Sequence, residues 1–230
     1  MTFGWNIRAV RLRLTGMPEN PSRSNPSCLR VLGVDPAAAG PTGFAIIERD
    51  GAQCHVLRYG AFQVPAKKQK ASAGAALQEV HALLCDLITK YRPHVMAVES
   101  VFTALNIRTA LRLAEVRGVV LLAGEQLGIA VRSYSPREVK ACVTGYGHAD
   151  KRQMQAMVKA QLGMKEVPEP SDAADALAVA LCHLQTDQLE RRFGVSKADA
   201  ARSGKQRLPR RSAPGNQAPI GHVVRIQTER

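Results

Sequence analysis

Three strand-like segments in a row, followed by an alternation of helical and strand patterns, constrain the fold of this chain most. Turn residues such as Asp35-Pro36 and Asp50-Gly51 separate the three segments. The predicted strands are Leu29–Val34, Thr42–Ile47 and His55–Val64. Short turns join them into an antiparallel meander at the start of a sheet. Because helices and further strands follow, we predict an α/β domain with a mixed sheet covered by helices.

The rest of the pattern alternates helices with short buried strands. A helical pattern ends at Tyr91-Arg92-Pro93, because the residue before proline disfavours the α conformation. The later segments are a strand at Val95–Val98, a helix at Asn106–Gly128, a strand at Ile129–Tyr134, and helices at Pro136–Val143, Lys151–Leu162 and Ser171–Leu184. The second half of the Asn106–Gly128 helix is apolar on nearly every side. We therefore expect this helix to be buried, with a subunit interface as one way to cover it.

Composition and charge set the limits of the domain. Hydrophobic residues make up 45% of the 230 residues and charged residues 22%, which excludes wholesale disorder. The two ends of the chain lack an apolar periodicity and are basic. We predict a flexible N-terminal arm over residues 1–27, one domain over residues 28–185, and a disordered basic C-terminal tail over residues 186–230. The net charge of +13 favours a polyanionic partner such as nucleic acid.

The cysteines and the apolar segments indicate a cytoplasmic protein. Five cysteines are widely spaced and form no Cys-x-x-Cys pair, which argues against a zinc site or a disulfide framework. The apolar stretches are interrupted well short of the ~18 residues that a membrane span needs. Residues 1–27 lack the apolar core of a signal peptide. We expect no membrane contact and no export.

Four carboxylates stand where a catalytic site is commonly built. Asp35 and Glu99 each follow a buried strand, so two parallel strands would bring both side chains to one edge of the sheet. Asp172 and Asp175 are three residues apart at the start of a helix, which places them on one face. Taken singly, the acids have simpler explanations as a turn former, a solvated strand end or a favourable charge in a first helical turn. Asp175 fits these explanations least, because small apolar residues surround it.

A cluster of these four acids would repel itself unless a divalent cation lay at its centre. Carboxylate oxygens select Mg²⁺, or Mn²⁺ in its place, over zinc. For a basic chain the natural reaction is phosphodiester hydrolysis, in which one metal activates water and a second stabilises the leaving oxygen. We therefore predict two ions per site and products that carry a 5′-phosphate and a 3′-hydroxyl.

Three segments give the chain a resemblance to a known family. They are Leu32-Gly33-Val34-Asp35-Pro36 with Thr42-Gly43, then Ala97-Val98-Glu99-Ser100-Val101-Phe102, then Ser171-Asp172-Ala173-Ala174-Asp175-Ala176-Leu177-Ala178. In this order and at these intervals they resemble the RuvC crossover junction endodeoxyribonucleases. The match extends over roughly residues 29–184.

The resemblance implies a ribonuclease-H-like fold, here a mixed five-stranded sheet flanked by helices. It also implies that Asp35, Glu99, Asp172 and Asp175 are the metal-binding and catalytic residues of a homodimer. Four-way (Holliday) junction DNA would be the substrate, resolved by paired nicks during recombination and repair. Phe102 would insert near the junction centre, and Lys140 and Lys151 would contact DNA near the scissile phosphate. A branch-migration motor complex is a further partner that the resemblance suggests.

The segment after Asp35 departs from the family pattern. Relatives usually have glycine after the Asp-Pro pair, whereas this chain has Ala37-Ala38-Ala39-Gly40-Pro41. A catalytically impaired module that only binds branched DNA is therefore the first alternative. The retained acids argue against it, since carboxylates that repel phosphate would serve no purpose in a pure binding protein. The second alternative, an actin-like ATP-binding domain, lacks a second phosphate loop and a second lobe.

Overall fold

The structure, a computed structural model, describes residues 28–37, 40–63, 72–100 and 107–194. The five strands are β1 (Leu29–Asp35), β2 (Thr42–Asp50), β3 (Gln53–Phe62), β4 (Val95–Glu99) and β5 (Ala130–Tyr134). The helices within these residues are α1 (Ala73–Tyr91), α2 (Ile107–Gln126), α3 (Pro136–Thr144), α4 (Lys151–Gln161) and α5 (Ser171–Phe193). The described residues therefore contain the three strands and the helix–strand alternation that the sequence predicts.

The strands form one mixed sheet in the order β3-β2-β1-β4-β5. The first three strands are antiparallel neighbours, and a two-residue turn with Gly51 at φ 60° connects β2 to β3. β4 pairs in parallel with β1, and β5 pairs in parallel with β4. Parallel pairing requires a crossover, which α1 supplies between β3 and β4 and α2 between β4 and β5. The prediction of a mixed five-stranded sheet is confirmed.

Helices cover both faces of the sheet. One apolar cluster packs α3, α4 and α5 against one face, and a second packs α1 and α2 against the other. α1 ends where the sequence predicts, because Arg92 before Pro93 adopts a left-handed conformation (φ 47°) and its N–H donates to the Ile88 carbonyl. None of the described helices is long and apolar enough to cross a membrane.

α5 lies unusually close to the sheet because small residues meet at the contact. Its buried face is rich in alanine, and a Cβ atom added at Gly33 would come within 2.3 Å of the Ala176 carbonyl oxygen. A larger residue at either position would push the helix away from β1. The glycine and alanines therefore determine how near the start of α5 comes to the edge of the sheet.

The predicted end of the last helix at Leu184 is wrong. α5 continues to Phe193 and ends at Gly194, which has φ 64°. The guanidinium of Arg49 on β2 donates to the Leu184 carbonyl at 2.5 Å and pairs with Asp187 at 2.6 Å. These bonds tie the extra turns to the sheet, although the local sequence there is polar. The rest of the predicted tail, from residue 195, and the predicted arm over residues 1–27 lie outside the described residues.

The predicted burial of the second helix is only partly seen within the described residues of one chain. Only one face of α2 is buried, where Val116, Val120, Ala123 and Gly124 pack against the sheet and α1. Leu111 and Leu122 remain 61% and 50% exposed. α2 therefore carries more large apolar side chains than the described residues of the same chain bury.

Candidate active site

The parallel pairing of β1 with β4 brings the first two acids together. Val34 is the register partner of Val98, so Asp35 and Glu99, the next residue on each strand, leave the sheet side by side. Both strands end at this edge, and Tyr134 of β5 pairs with Glu99 in the neighbouring row. This is the carboxyl edge of the parallel part of the sheet, where α/β folds place their sites.

The N-terminus of α5 brings the other two acids to the same edge. Gly43 is the register partner of Asp35, and a Cβ atom added there would stand 2.0 Å from the carbonyl oxygen of Asp172. Backbone therefore packs directly on backbone at this point, and only glycine permits it. Asp172 and Asp175 come to lie beside Asp35 and Glu99, which joins residues that are far apart in the sequence.

Burial and mutual repulsion control the protonation of Asp35. Desolvation is the largest cause that raises its pKa, followed by the charge of Glu99 and then by that of Asp175. Asp35 also donates a hydrogen bond to Glu99, and these effects together raise its pKa to about 8. A carboxyl group with this pKa holds its proton near neutral pH unless a cation offsets the surrounding negative charge.

Two lysines oppose the negative charge of the cluster. Burial raises the pKa of Glu99 and of Asp175, whereas Lys140 acts in the opposite direction on both. Lys151 approaches the cluster most closely, because its Nζ lies 3.3 Å from Oδ2 of Asp175. The site therefore combines four acids with two cations from α3 and α4.

The donor set fits a hard divalent cation. Its potential ligands are carboxylate oxygens, and a bound cation would relieve the repulsion that raises the pKa of Asp35 and Asp175. Among the described residues, no group of three or more acidic, histidine or cysteine side chains already surrounds a common ion position. In this arrangement Asp35 bonds Glu99 and Asp175 contacts Lys151.

The predicted site residues are thus brought together with one exception. Asp35, Glu99, Asp172 and Asp175 form one electrostatically connected cluster. Lys140 and Lys151 flank it. Phe102 lies outside the described residues.

Sequence reasoning missed the structural importance of Gly43. The residue appeared only as part of a family motif, whereas the structure shows that its missing side chain admits the backbone of Asp172. A glycine inside a strand pattern is a recognised sign of close backbone approach, so the signal was present. The identity of the approaching segment was not available from local sequence.

A mixed sheet in the order β3-β2-β1-β4-β5, with carboxylates from two parallel strand ends and a covering helix, defines a ribonuclease-H-like domain with an acidic site. The family described as crossover junction endodeoxyribonuclease RuvC matches residues 31–183. RuvC from Halothermothrix orenii is 42% identical over 165 residues, which are 72% of this chain and 98% of that protein. RuvC from Chloroflexus aggregans is 45% identical over 168 residues, 73% of this chain and 100% of that protein.

Solved structures agree with this assignment. The structure of Thermus thermophilus RuvC in complex with a Holliday junction substrate superposes with a TM-score of 0.65 at 30% identity, covering 70% of this chain and 96% of that one. The chain belongs to the RuvC family of crossover junction endodeoxyribonucleases. Nucleases of this family depend on a metal ion. Neither the binding-only module nor the actin-like domain is favoured by these relationships.

Proposed function

We propose that this chain resolves four-way DNA junctions by metal-dependent hydrolysis of phosphodiester bonds in two opposed strands. The observation that carries the proposal is the cluster of four acids at the carboxyl edge of β1 and β4. Burial and repulsion raise the pKa of Asp35 to about 8, so the cluster is poorly suited to be a site without cations. The Thermus relative of known structure was solved with a Holliday junction substrate, which makes the same substrate class the natural choice here.

The four acids share one role in this proposal. Asp35, Glu99, Asp172 and Asp175 hold two Mg²⁺ ions, for which Mn²⁺ substitutes. When bound, such a pair lowers the pKa of an attacking water and stabilises the leaving oxygen. The products then carry a 5′-phosphate and a 3′-hydroxyl. The acids also fix the position of the scissile phosphate relative to that water.

The side chains that flank the acids would contact the DNA. Lys140 and Lys151 already face the carboxylates and would meet the phosphates next to the scissile bond. Phe102 would stack near the junction centre, as in the family pattern. The net charge of +13 suits a polyanionic substrate, and binding should weaken steeply as salt is added.

We infer that two copies of the chain act together. The exposed face of α2 carries Ile107, Leu111 and Leu122, which are 80%, 61% and 50% exposed. Large apolar side chains left exposed on one helix are expected at a subunit contact. A two-fold axis through this contact would present two sites to opposed strands, which matches the symmetry of a four-way junction.

The setting of the reaction follows from the same features. The wide spacing of the five cysteines, with no Cys-x-x-Cys pair, favours a reducing cytoplasm. A branch-migration motor complex is the further partner that family resemblance suggests. The carboxylate site identifies no residues that would contact this motor complex.

A nicking assay tests the proposed function. A labelled four-way junction and a linear duplex of the same sequence are incubated with the full chain and Mg²⁺ or EDTA. Glu99→Gln and Asp175→Asn should lower the nicking rate by at least about 100-fold, because each removes a charge that the metal site needs. Asp86→Asn, an exposed acid on α1, is the matched control and should nick like the wild type.

Three outcomes have clear meanings. Symmetric, metal-dependent nicks on the junction that disappear in both site variants support the proposal. Tight junction binding without nicks by the wild type would favour the binding-only module. Equal nicking rates on the junction and on the linear duplex would contradict a junction-specific enzyme.

A further inference from the structure

A short loop between α3 and α4 is held rigidly beside the carboxylates. Gly145 ends α3 with φ 77°, and its N–H donates to the Ala141 carbonyl at 2.8 Å. Thr144 Oγ1 donates to the Lys140 carbonyl at 2.8 Å and accepts from the Tyr146 N–H at 3.1 Å. At the other end, the side chain of Asp150 caps α4. Residues 145–150 therefore have little freedom to move.

This loop displays two aromatic rings. Tyr146 is 60% exposed, and its ring centroid lies 5.7 Å from that of His148, with the planes tilted by 56°. Gly147 between them packs against α3, since a Cβ atom there would come within 2.9 Å of Cγ of Arg137. The close contact of Gly147 with Arg137 fixes the middle of the loop against α3. Tyr146 and His148 precede and follow this glycine in the sequence.

The loop is attached to the carboxylate site at both ends. Lys140, whose carbonyl accepts from Thr144, is the cation that acts on Glu99 and Asp175. Lys151 directly follows the loop, and its Nζ is 3.3 Å from Asp175. A strand bound across the two lysines would therefore pass next to Tyr146.

Single exposed aromatic side chains are common on protein surfaces. Tyr146 differs from most in three respects: a fixed backbone, a second ring in contact with it, and a loop that is preceded by Lys140 and followed by Lys151. Proteins that hold single-stranded nucleic acid combine these same features, with aromatic faces for the bases and positive charge for the backbone. An aromatic ring on a rigid loop also loses little conformational freedom when a base stacks on it.

We propose that Tyr146, supported by His148, stacks on an unpaired nucleobase at the crossover of the junction. The inference rests on the proposed function, because only a branched substrate offers an unstacked base next to the scissile phosphate. It adds to that function a residue that distinguishes a junction from a continuous duplex. The lysines bind phosphates in either DNA, whereas the ring needs a base that has left the stack.

The experiment measures binding without cleavage. The full chain carrying Glu99→Gln is titrated in EDTA with a four-way junction that contains 2-aminopurine at the crossover, and with a linear duplex. Adding Tyr146→Ala should weaken junction affinity about tenfold, within the usual range for one base–aromatic stack, and should reduce the binding-induced change in 2-aminopurine fluorescence. Tyr146→Phe should retain both, and affinity for the duplex should be unchanged in either variant.

Two further variants keep the result interpretable. Tyr146→Leu preserves bulk without an aromatic face, so it should behave like Tyr146→Ala even if the alanine variant folds poorly. Phe193→Ala is the matched control, since Phe193 is 64% exposed and lies at the far end of α5, about 27 Å from Asp175 along the helix. It should bind the junction like the parent chain.

The inference is overturned if Tyr146→Leu binds the junction as the parent does, or if it loses the same affinity for junction and duplex. In either case junction nicking by the otherwise unaltered chain would leave the proposed function standing. A chain with native Glu99 that neither prefers nor nicks the junction would overturn both.

Discussion

At the scale of single residues, the charge state of Asp35 links the site to the stability of the fold. The carboxyl has an ordinary pKa of 3.8 and a folded-state pKa of about 8, mainly because burial removes it from water. At pH values between 3.8 and about 8, the Asp35 carboxyl is protonated in the folded chain and ionised in the unfolded chain. Raising the pH therefore favours unfolding, and the contribution of this carboxyl to stability is lost as the pH rises through the folded-state pKa.

We expect the free energy of unfolding of the EDTA-treated chain to fall as the pH is raised from about 5 to 9. Asp35→Asn should flatten this decline and should be the more stable protein at pH 9 by about 2 kcal/mol, because it removes a buried charge. Denaturant titrations at several pH values measure the effect. Asp86→Asn is the control and should follow the wild type. A wild-type profile as flat as that of Asp35→Asn would contradict the assignment of the high pKa.

At the scale of secondary-structure elements, the contact between α5 and β2 places half of the acidic cluster. A methyl group at Gly43 would overlap the carbonyl of Asp172, so Gly43→Ala must displace the first turn of α5. We expect a loss of about 1–3 kcal/mol in the free energy of unfolding, together with a reduced nicking rate, because Asp172 and Asp175 move with the helix.

Gly74→Ala is the matched control for this change. A Cβ atom at Gly74 in the first turn of α1 would lie 3.9 Å from Ser72 Oγ, an ordinary contact. The substitution should leave nicking unchanged and raise the free energy of unfolding by about 0.5–1 kcal/mol, since alanine suits a helix better than glycine. Thermal unfolding and the nicking assay report both quantities. Equal effects of the two substitutions would show that the contact at Gly43 is unimportant.

At the scale of the whole molecule, the exposed face of α2 determines the expected assembly. Leu111 is 61% exposed and lies one helical turn from Ile107, which is 80% exposed. Leu111→Glu would place a charge in the middle of the proposed contact. We expect the wild type to sediment as a dimer and the variant as a monomer whose fold is intact, because the substituted side chain contributes little to the core.

The nicking pattern should change with the assembly. A monomeric variant should cut one strand of a junction at a time, so linear products accumulate more slowly than single nicks. Leu189→Glu is the control, since Leu189 is 54% exposed on the last turns of α5. If Leu189→Glu dissociated the dimer and Leu111→Glu did not, the contact would lie on α5 instead.

Local sequence patterns specify the kinds of element, their order and the identity of the acids. Hydrophobic periodicity and turn residues are local signals, so the strands and helices of the described residues were predictable, except for the end of α5. Asp35, Glu99, Asp172 and Asp175 were recognisable because each departs from the apolar pattern around it or belongs to a family motif. Their roles in catalysis remain a prediction, as does that of Phe102.

Contacts between distant residues depend on the packing of the whole domain. The bonds from Arg49 keep α5 helical beyond Leu184, and the sheet and α1 cover only one side of α2. The missing side chain of Gly43 sets the distance between Asp172 and β2. Each of these facts depends on a contact between segments far apart in the chain. A local pattern can show that an apolar surface must be buried, or that another backbone segment must approach closely. The segment that makes the contact is selected by the packing of the whole domain.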